Sequence, residues 1–258
     1  MLRSIMVETG DSPCAVAAME TAVSLAKAFQ ARLWALTCLD ERAVASGRIR
    51  RMLEEHTRQR QERFEEQCRA AGIECHSDIE VGDPHAAIVH LSRKADLMVL
   101  GSAPDPEAPD RGFASAGLAV ARELVRHVLV VRHKAPAFRR IVVGYAGQEN
   151  SCNALQLAGH LAEKAGGAVH VLCSGADIAE AKSLLNLAVA YLEAYKVEAV
   201  PHYVTQEPGD ALFELVREVD ADTVAIGAVR RSRLKMIAFG DTASRVLDGS
   251  PAAVLIGR

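Results

Sequence analysis

The chain has 258 residues, of which 50% are apolar but only 4% are aromatic, and its formal net charge is −3 at pH 7. This charge argues against electrostatic binding of the whole chain to nucleic acid or an anionic membrane, and no apolar stretch approaches the roughly 18 residues that span a bilayer. The scarcity of aromatic residues indicates cores of Val, Leu, Ile and Ala, as is typical of parallel strands covered by helices.

The first half of the chain alternates strands and helices. Asp11-Ser12-Pro13 supplies an N-cap with a proline just inside the first helix, and Gly72 ends the second helix. The second helix is predicted to bury an apolar stripe of Ile49, Met52, Leu53, Phe64 and Cys68. The predicted strands cover residues 5–7, 33–39, 73–81, 97–100 and 128–131, and the predicted helices cover 13–30, 48–71, a short segment after Asp83-Pro84, and residues near 118–125.

The second half repeats the first. Residues 140–143 repeat residues 4–7 at a shift of 136, and residues 222–227 repeat 96–101 at a shift of 126. The predicted strands cover 141–143, 168–172, 197–204, 223–226 and 253–256, with helices between them. The period is far longer than the about 20–50 residues of a solenoid unit. It predicts two domains, residues 1–134 and 138–258, joined at Ala135-Pro136-Ala137.

Alternating elements of this length predict the α/β class, with right-handed crossovers and a doubly wound parallel five-stranded sheet in each half. Ligands of such sheets bind beyond the carboxyl ends of the strands, where the strand order reverses. The loops after the first and fourth strands of each half are therefore the candidate sites. Each half also ends in an apolar strand that would otherwise be an exposed edge, so we expect the halves to pair as a pseudo-twofold tandem.

Cysteines and histidines are scattered along the chain. None of the six cysteines forms a Cys-x-x-Cys pair, which argues against a disulfide framework. His85 and His90 are five residues apart and do not share a helical face, whereas Cys75 and His76 alternate across a strand. We therefore expect no metal site. The chain starts without the pattern of a secretory signal, so we expect a cytoplasmic protein.

The loop after the fourth strand of the second half runs from Gly227 to Thr242. It resembles the signature loop of the universal stress protein family, Gly-x2-Gly-x9-Gly-Ser/Thr. The segments Ser244–Leu247 and Ser250–Ile256 resemble the closing helix, turn and strand of that family, and the Gly-Asp steps at Gly82-Asp83 and Gly209-Asp210 match as well. The resemblance covers nearly the whole chain, twice. It implies a tandem universal stress protein with an adenine nucleotide alpha hydrolase-like fold.

In that family the loop glycines let backbone N–H groups approach the phosphates of ATP, and the dipole of the following helix adds to the attraction. The resemblance therefore implies a site for ATP or another adenine nucleotide in the second half. It implies no catalytic residue. The residues assigned to the nucleotide site are Gly144, Tyr145, Ala146, Leu172, Ile226, Gly227, Arg230, Arg231, Gly240, Asp241 and Thr242.

Three positions depart from the family pattern. Arg230 stands at the middle glycine, and Asp241 replaces the Ser or Thr whose hydroxyl would meet a phosphate. The aspartate that the family places beside adenine is replaced by Gly10 in the first half and by Ala146 in the second. A carboxylate at a helix N-terminus is a good cap but repels an anion, whereas the arginines of the loop attract one. The sequence therefore leaves two interpretations of this loop equally open, a nucleotide site and a solvated basic turn.

The corresponding loop of the first half, residues 101–112, departs further. It contains three prolines, which lack an N–H donor, and three carboxylates, which repel a phosphate. We expect the first half to bind no triphosphate.

No Gly-x-Ser-x-Gly elbow, Walker A motif or dinucleotide fingerprint occurs, so we expect no enzyme. The leading hypothesis is a non-catalytic cytoplasmic stress-response regulator that binds an adenine nucleotide in its second domain and forms a pseudo-dimer within the chain or a homodimer. The alternatives are a nucleotide-free interaction module and a small-molecule sensor that uses the same crevice. No nucleic acid or membrane partner is expected. Cys14 and Cys152 lie in first helical turns, where the dipole lowers a thiol pKa, so a redox role and a purely buried one are both open.

Overall fold

The computed structural model of the chain describes residues 2–40, 47–102, 120–121, 123–228 and 241–258, without the side chains of residues 40, 47–51, 54 and 241. The chain divides into two compact units, Met1–Ala135 and Pro136–Arg258. In the described part of the chain, every helix is too short or too polar to cross a membrane.

Unit 1 is a parallel α/β unit. Its strands pair in the order β3-β2-β1-β4-β5. The chain therefore moves outward from β1 through β2 to β3, and then crosses to the other side of β1. The elements are β1 (Ser4–Glu8), α1 (Pro13–Phe29), β2 (Arg32–Asp40), α2 (Gly47–Ala71), β3 (Cys75–Gly82), α3 (Pro84–Leu91), β4 (Leu97–Gly101) and β5 (His127–Val131).

Unit 2 repeats this topology. Its strands pair in parallel in the order β8-β7-β6-β9-β10. The α/β class and the two doubly wound parallel sheets predicted from the sequence are confirmed in the described residues. The elements are β6 (Arg140–Gly144), α4 (Glu149–Ala165), β7 (Ala168–Ser174), α5 (Ile178–Glu193), β8 (Glu198–Val204), α6 (Pro208–Glu218), β9 (Thr223–Gly227), α7 (Asp241–Gly249) and β10 (Ala253–Gly257).

The central strands are apolar without alternation because helices cover both faces of each sheet. In both β4 and β9, the first four residues are buried and only the final glycine is partly exposed. Burying one Val, Leu or Ile side chain contributes about 1.5–3 kcal/mol. The aliphatic strands therefore supply the cores that the low aromatic content predicts.

Local capping fixes the starts and ends of the helices. The Ser12 hydroxyl accepts a hydrogen bond from the Ala15 N–H at 3.1 Å, as expected of an N-cap before Pro13. Helix α1 ends where Gln30 adopts a left-handed backbone with φ of 52°, and α4 ends in the same way at Gly166 with φ of 63°. Both ends turn the chain directly into the next strand.

Two predictions about the second helix and the third strand need correction. Strand β3 begins at Cys75 rather than at residue 73, because Gly72 has a φ of 68° and the Ile73 N–H donates to the Cys68 carbonyl at 3.1 Å, which closes the helix end. Met52 was predicted in the buried stripe of α2 but is 54% exposed, whereas Thr57 is buried together with Phe64 and Cys68. Of the helix predicted near residues 118–125, only residues 120, 121 and 123 are described as helical.

Candidate functional site

A cavity of about 220 Å³ opens at the carboxyl ends of β6, β7 and β9 in unit 2. The strand order reverses between β6 and β9, so the cavity lies where doubly wound sheets bind ligands. Seven residues that the sequence assigned to the nucleotide site line this cavity: Gly144, Tyr145, Ala146, Leu172, Ile226, Gly227 and Thr242.

The other assigned residues belong to the loop before α7. Arg230, Arg231 and Gly240 lie outside the described residues, and so does the side chain of Asp241, the first residue of α7. In the first half, all but Gly101 and Ser102 of the predicted acidic loop likewise lies outside the description. The contributions of these residues stay predictions.

Sequence reasoning missed half of the cavity lining. The missed residues lie at helix starts or strand ends that face the carboxyl edge of the sheet. The sequence predicted the helices of the second half without exact bounds, and it placed Cys152 in a first helical turn without assigning the neighbouring residues to the site. The missed residues are Gln148, Asn150, Ser151, Ser174, Pro208, Leu212 and Ala243.

Gly144 keeps the cavity open. A Cβ atom built on Gly144 would lie 3.3 Å from Leu212 Cδ1 and 3.6 Å from Ile226 Cγ2, both of which line the cavity. A larger side chain at this position would therefore enter the cavity. The repeat shift of 136 places Glu8 at the corresponding position of unit 1.

Gly227 brings the end of β9 against the first turn of α4. A Cβ atom at Gly227 would lie 2.5 Å from the Ser151 nitrogen and 2.7 Å from the Asn150 carbonyl carbon, so no side chain fits there. The Asn150 amide donates to the Ala228 carbonyl, and the Ala228 N–H donates to the Gly257 carbonyl at 3.0 Å. The start of the signature loop is thus fixed to both α4 and β10.

The positive end of α4 faces the same cavity. Gln148 is its N-cap and makes no capping hydrogen bond through its side chain. The Ser151 hydroxyl donates to the Gln148 carbonyl at 2.8 Å and accepts from the Ala146 N–H at 3.4 Å. The first N–H groups of a helix carry partial positive charge. This end of the cavity is therefore suited to an anionic or electron-rich ligand group.

Tyr145 directly follows β6 and is held by contacts with β7 and α4. Its N–H donates to the Leu172 carbonyl at 2.9 Å, and its carbonyl accepts from Cys173 Sγ at 3.0 Å. Its hydroxyl lies 3.6 Å from Cys152 Sγ in α4. Burial first, and then the bond with Cys152, raise the pKa of Tyr145 to about 12. The ring is therefore a neutral, fixed part of the cavity wall.

A charged network lies beside the cavity on α6 and α7. Glu207 caps α6 and accepts from the Asp210 N–H at 3.0 Å. It also accepts from the Thr242 hydroxyl at 3.4 Å and from Arg245 Nη1 at 2.7 Å, while Arg245 Nη2 donates to Asp210. The backbone bond from Gly209 is the largest cause that lowers the pKa of Glu207. Arg245 is therefore already paired with two carboxylates.

In unit 1, a carboxyl group occupies the position of Gly144. Glu8 is only 6% exposed. Desolvation raises the pKa of Glu8 to about 8, against an opposing effect from Arg60. The neighbouring Asp11 is exposed and lies 3.7 Å from both Arg60 and Arg63. Near this strand end, Glu8 is thus a buried acid, whereas Asp11 is an exposed carboxylate that pairs with two arginines.

The two cysteines at helix starts differ in environment. Cys14 is buried and its Sγ lies 3.4 Å from His133 Nδ1. Burial raises the pKa of the Cys14 thiol, and Arg132 only partly offsets this effect. A raised pKa reduces the thiolate fraction on which thiol reactivity depends. The environment of Cys14 thus favours the buried role over the redox role. Cys152 has a different partner, since its Sγ lies within hydrogen-bond distance of the Tyr145 hydroxyl.

Comparison with known proteins gives a consistent result. The model of the universal stress protein family matches residues 1–132 and 137–258. The fold is similar to that of a universal stress protein from Archaeoglobus fulgidus DSM 4304 (TM-score 0.81, 19% identity, 99% of this chain and 98% of that chain). It is also similar to a protein from Pseudomonas aeruginosa UCBPP-PA14 (TM-score 0.70, 18% identity, 99% and 92%). The universal stress protein from Archaeoglobus fulgidus in complex with dAMP matches 46% of this chain and 98% of its own, at 27% identity and a TM-score of 0.41. No curated protein has a significant match.

Proposed function

Because the chain belongs to the universal stress protein family, we propose that it is a stress-response regulator that binds an adenine nucleotide in the cavity of unit 2. The observation that carries the proposal is the position of this cavity. It lies at the reversal of strand order, and residues from β6, β7 and β9 line it together with the first turn of α4.

The described cavity is suited to the base and ribose of the nucleotide. Its volume of about 220 Å³ lies below the about 300–1,000 Å³ that is usual for sites enclosing a whole drug-sized ligand. Leu172, Leu212 and Ile226 supply apolar surface for a planar ring, and Tyr145 adds an aromatic side chain. The phosphates would then extend toward the helix N-termini, whose partial positive charge attracts anions.

The chemistry of the lining supports binding without catalysis. The described lining residues carry hydroxyl, amide and apolar side chains, and none of them is Asp, Glu, His, Cys, Lys or Arg. A general acid or base needs a titratable group within hydrogen-bond reach of the reacting atom. Tyr145 is titratable, but its pKa of about 12 keeps it protonated near neutral pH, which makes it a poor general base. We propose that the protein signals through the bound state of the cavity.

We also propose that the two units pair within the chain as a pseudo-twofold dimer. The support is the sequence of the last strand of each unit, His-Val-Leu-Val-Val in β5 and Ala-Val-Leu-Ile-Gly in β10. An apolar strand with an open edge is prone to pair with another chain. Pairing within the chain would remove that hazard.

The nucleotide proposal is tested by filling the cavity. Gly144→Val places a branched side chain against Leu212 and Ile226, and the three atoms nearest to the added Cβ all belong to these side chains. Valine is also favoured in strands. Calorimetric titration of the full chain with ATP and with AMP is expected to give binding to the unmodified protein. We expect Gly144→Val to weaken it at least about tenfold, which corresponds to about 1.4 kcal/mol.

The matched control is Gly175→Val, one residue after β7, where an added Cβ meets no atom within 4 Å. This variant is expected to bind like the unmodified protein. Equal binding by a folded Gly144→Val variant would refute the assignment of the cavity. Absence of binding by the unmodified protein would favour the nucleotide-free interaction module.

A further inference from the structure

Two histidine side chains meet on neighbouring strands of unit 2. His170 Nδ1 in β7 lies 3.1 Å from His202 Nε2 in β8, and the ring centroids are 5.3 Å apart. Leu172 lies opposite His202 in the strand register, and His170 lies two residues before Leu172 on the same face. The pair is therefore a diagonal cross-strand contact. Neither histidine lines the cavity assigned to the nucleotide.

We propose that His170 and His202 form a two-histidine site for a divalent transition-metal ion. Metal–nitrogen bonds to histidine are about 2.0–2.1 Å long, so two nitrogens 3.1 Å apart would subtend an angle of about 100° at a shared metal. This angle lies between those of octahedral and tetrahedral coordination. To exchange their hydrogen bond for a metal, both rings must turn their nitrogen lone pairs toward the ion, and the donor ring must adopt its other neutral tautomer.

Both rings are poised in the neutral form that binds metals. Burial is the largest cause that lowers the pKa of both His170 and His202, and His202 lowers the pKa of His170 further. Glu218 opposes the lowering at both rings, and Glu198 opposes it at His170. These two carboxylates also supply negative charge beside an incoming cation.

Cations also lie near the pair. Arg139, Arg140 and Lys196 line the same cavity as His170. Arg140 in β6 lowers the pKa of His170. Its side chain is engaged with Asp220, with Nη2 2.6 Å from a carboxylate oxygen and Nε donating to the backbone carbonyl at 2.9 Å. The carboxylates of Glu198 and Glu218 therefore act on the pair together with Arg140, which is already paired with Asp220, while Arg139 and Lys196 add positive charge to the cavity.

The pair is accessible to ions in solution. His170 lines a second cavity of about 830 Å³ at the amino ends of the strands, together with Glu198. Imidazole nitrogens select Zn²⁺, Ni²⁺ or Cu²⁺ over Mg²⁺ and Ca²⁺, which prefer oxygen ligands. In the described residues no group of three or more His, Cys, Asp or Glu could hold a metal ion. The site would therefore offer two protein donors and leave its other positions to water.

The test is calorimetric titration of the metal-free full chain with ZnCl2 near neutral pH. The variants are His170→Ala and His202→Ala, and the control is His90→Ala, which removes an exposed histidine from α3 of unit 1. Each pair variant is expected to weaken zinc binding at least about tenfold, the scale seen when metal-site residues are lost. The control should bind like the unmodified protein, and MgCl2 should give no binding heat.

A second readout does not depend on heats of binding. Zinc should raise the melting temperature of the unmodified protein and of His90→Ala, since a ligand of the folded state stabilises it. Zinc should not raise the melting temperature of His170→Ala or of His202→Ala. If only one of these two variants folds, that variant is enough for the comparison. Equal zinc binding by all four proteins would place the metal away from the His170–His202 pair, for example at the free thiols, and would overturn the proposal. Absence of zinc binding by the unmodified protein would overturn it too.

Discussion

Glu8 and Gly144 occupy the same position in the two units, at the end of the first strand of each sheet. In unit 2 the missing side chain leaves space beside Leu212 and Ile226. In unit 1 a carboxyl group is buried instead, and desolvation raises the pKa of Glu8 to about 8. The same position thus carries a glycine beside an open cavity in unit 2 and a buried acid, which is costly to desolvate, in unit 1.

Glu8→Gln is expected to stabilise the protein increasingly as the pH rises. Between its ordinary pKa of 4.5 and the folded value of about 8, Glu8 stays protonated in the folded chain while the unfolded chain ionises. The folded state then binds more protons, so its stability falls with pH, by at most about 1.4 kcal/mol per pH unit. Urea unfolding at several pH values across this range measures the difference between the variant and the unmodified protein.

The control for this pH series is Glu20→Gln, which alters an exposed carboxylate on α1 of the same unit. It should leave the pH dependence of stability unchanged. If the difference in free energy of unfolding between Glu8→Gln and the unmodified protein did not change with pH, the buried, protonated state of Glu8 would be contradicted.

At the scale of elements, glycines set the distance between the fourth strand and the first helix of each unit. A Cβ atom on Gly101 would lie 2.4 Å from the carbonyl carbon of Cys14 in α1. Gly227 stands in the same relation to Ser151 in α4. The helix N-terminus can approach the carboxyl edge of the sheet because neither strand end carries a side chain.

Gly101→Ala is expected to destabilise the protein by about 1–3 kcal/mol, the usual cost of overpacking, because the added methyl group meets helix backbone rather than a flexible side chain. The free energy of unfolding in urea measures the loss. Gly175→Ala is the matched control, since its Cβ meets nothing within 4 Å. If both variants were equally stable, the close approach of β4 and α1 would not be a constraint.

The sequence predicted elements better than it predicted the site. Runs such as Leu97–Leu100 are apolar enough to read as buried strands without any knowledge of their neighbours. The cavity wall needs contacts between distant segments, such as Leu212 beside Gly144, which no local pattern encodes. The His170–His202 pair was missed for the same reason, because it depends on the register between two strands.

At the scale of the whole molecule, the duplication gives each unit an apolar final strand. Separately expressed halves, residues 1–135 and 136–258, are expected to associate with themselves or with each other, since an exposed apolar edge strand favours pairing. Sedimentation of each half and of their equimolar mixture measures this. Two stable monomeric halves without mutual affinity would contradict the proposed pseudo-dimer.

The two units differ enough that the whole chain should bind one adenine nucleotide rather than two. Unit 2 combines Gly144 at the cavity with a loop that carries Arg230 and Arg231, whereas unit 1 combines buried Glu8 with a proline-rich acidic loop. A polyphosphate needs backbone donors and positive charge, and of the two loops only that of unit 2 supplies both. Calorimetry of the full chain with ATP should give a stoichiometry near one, and Gly144→Val should weaken binding at that single site. Two equal sites, or one site with an affinity that Gly144→Val leaves unchanged, would contradict the asymmetry.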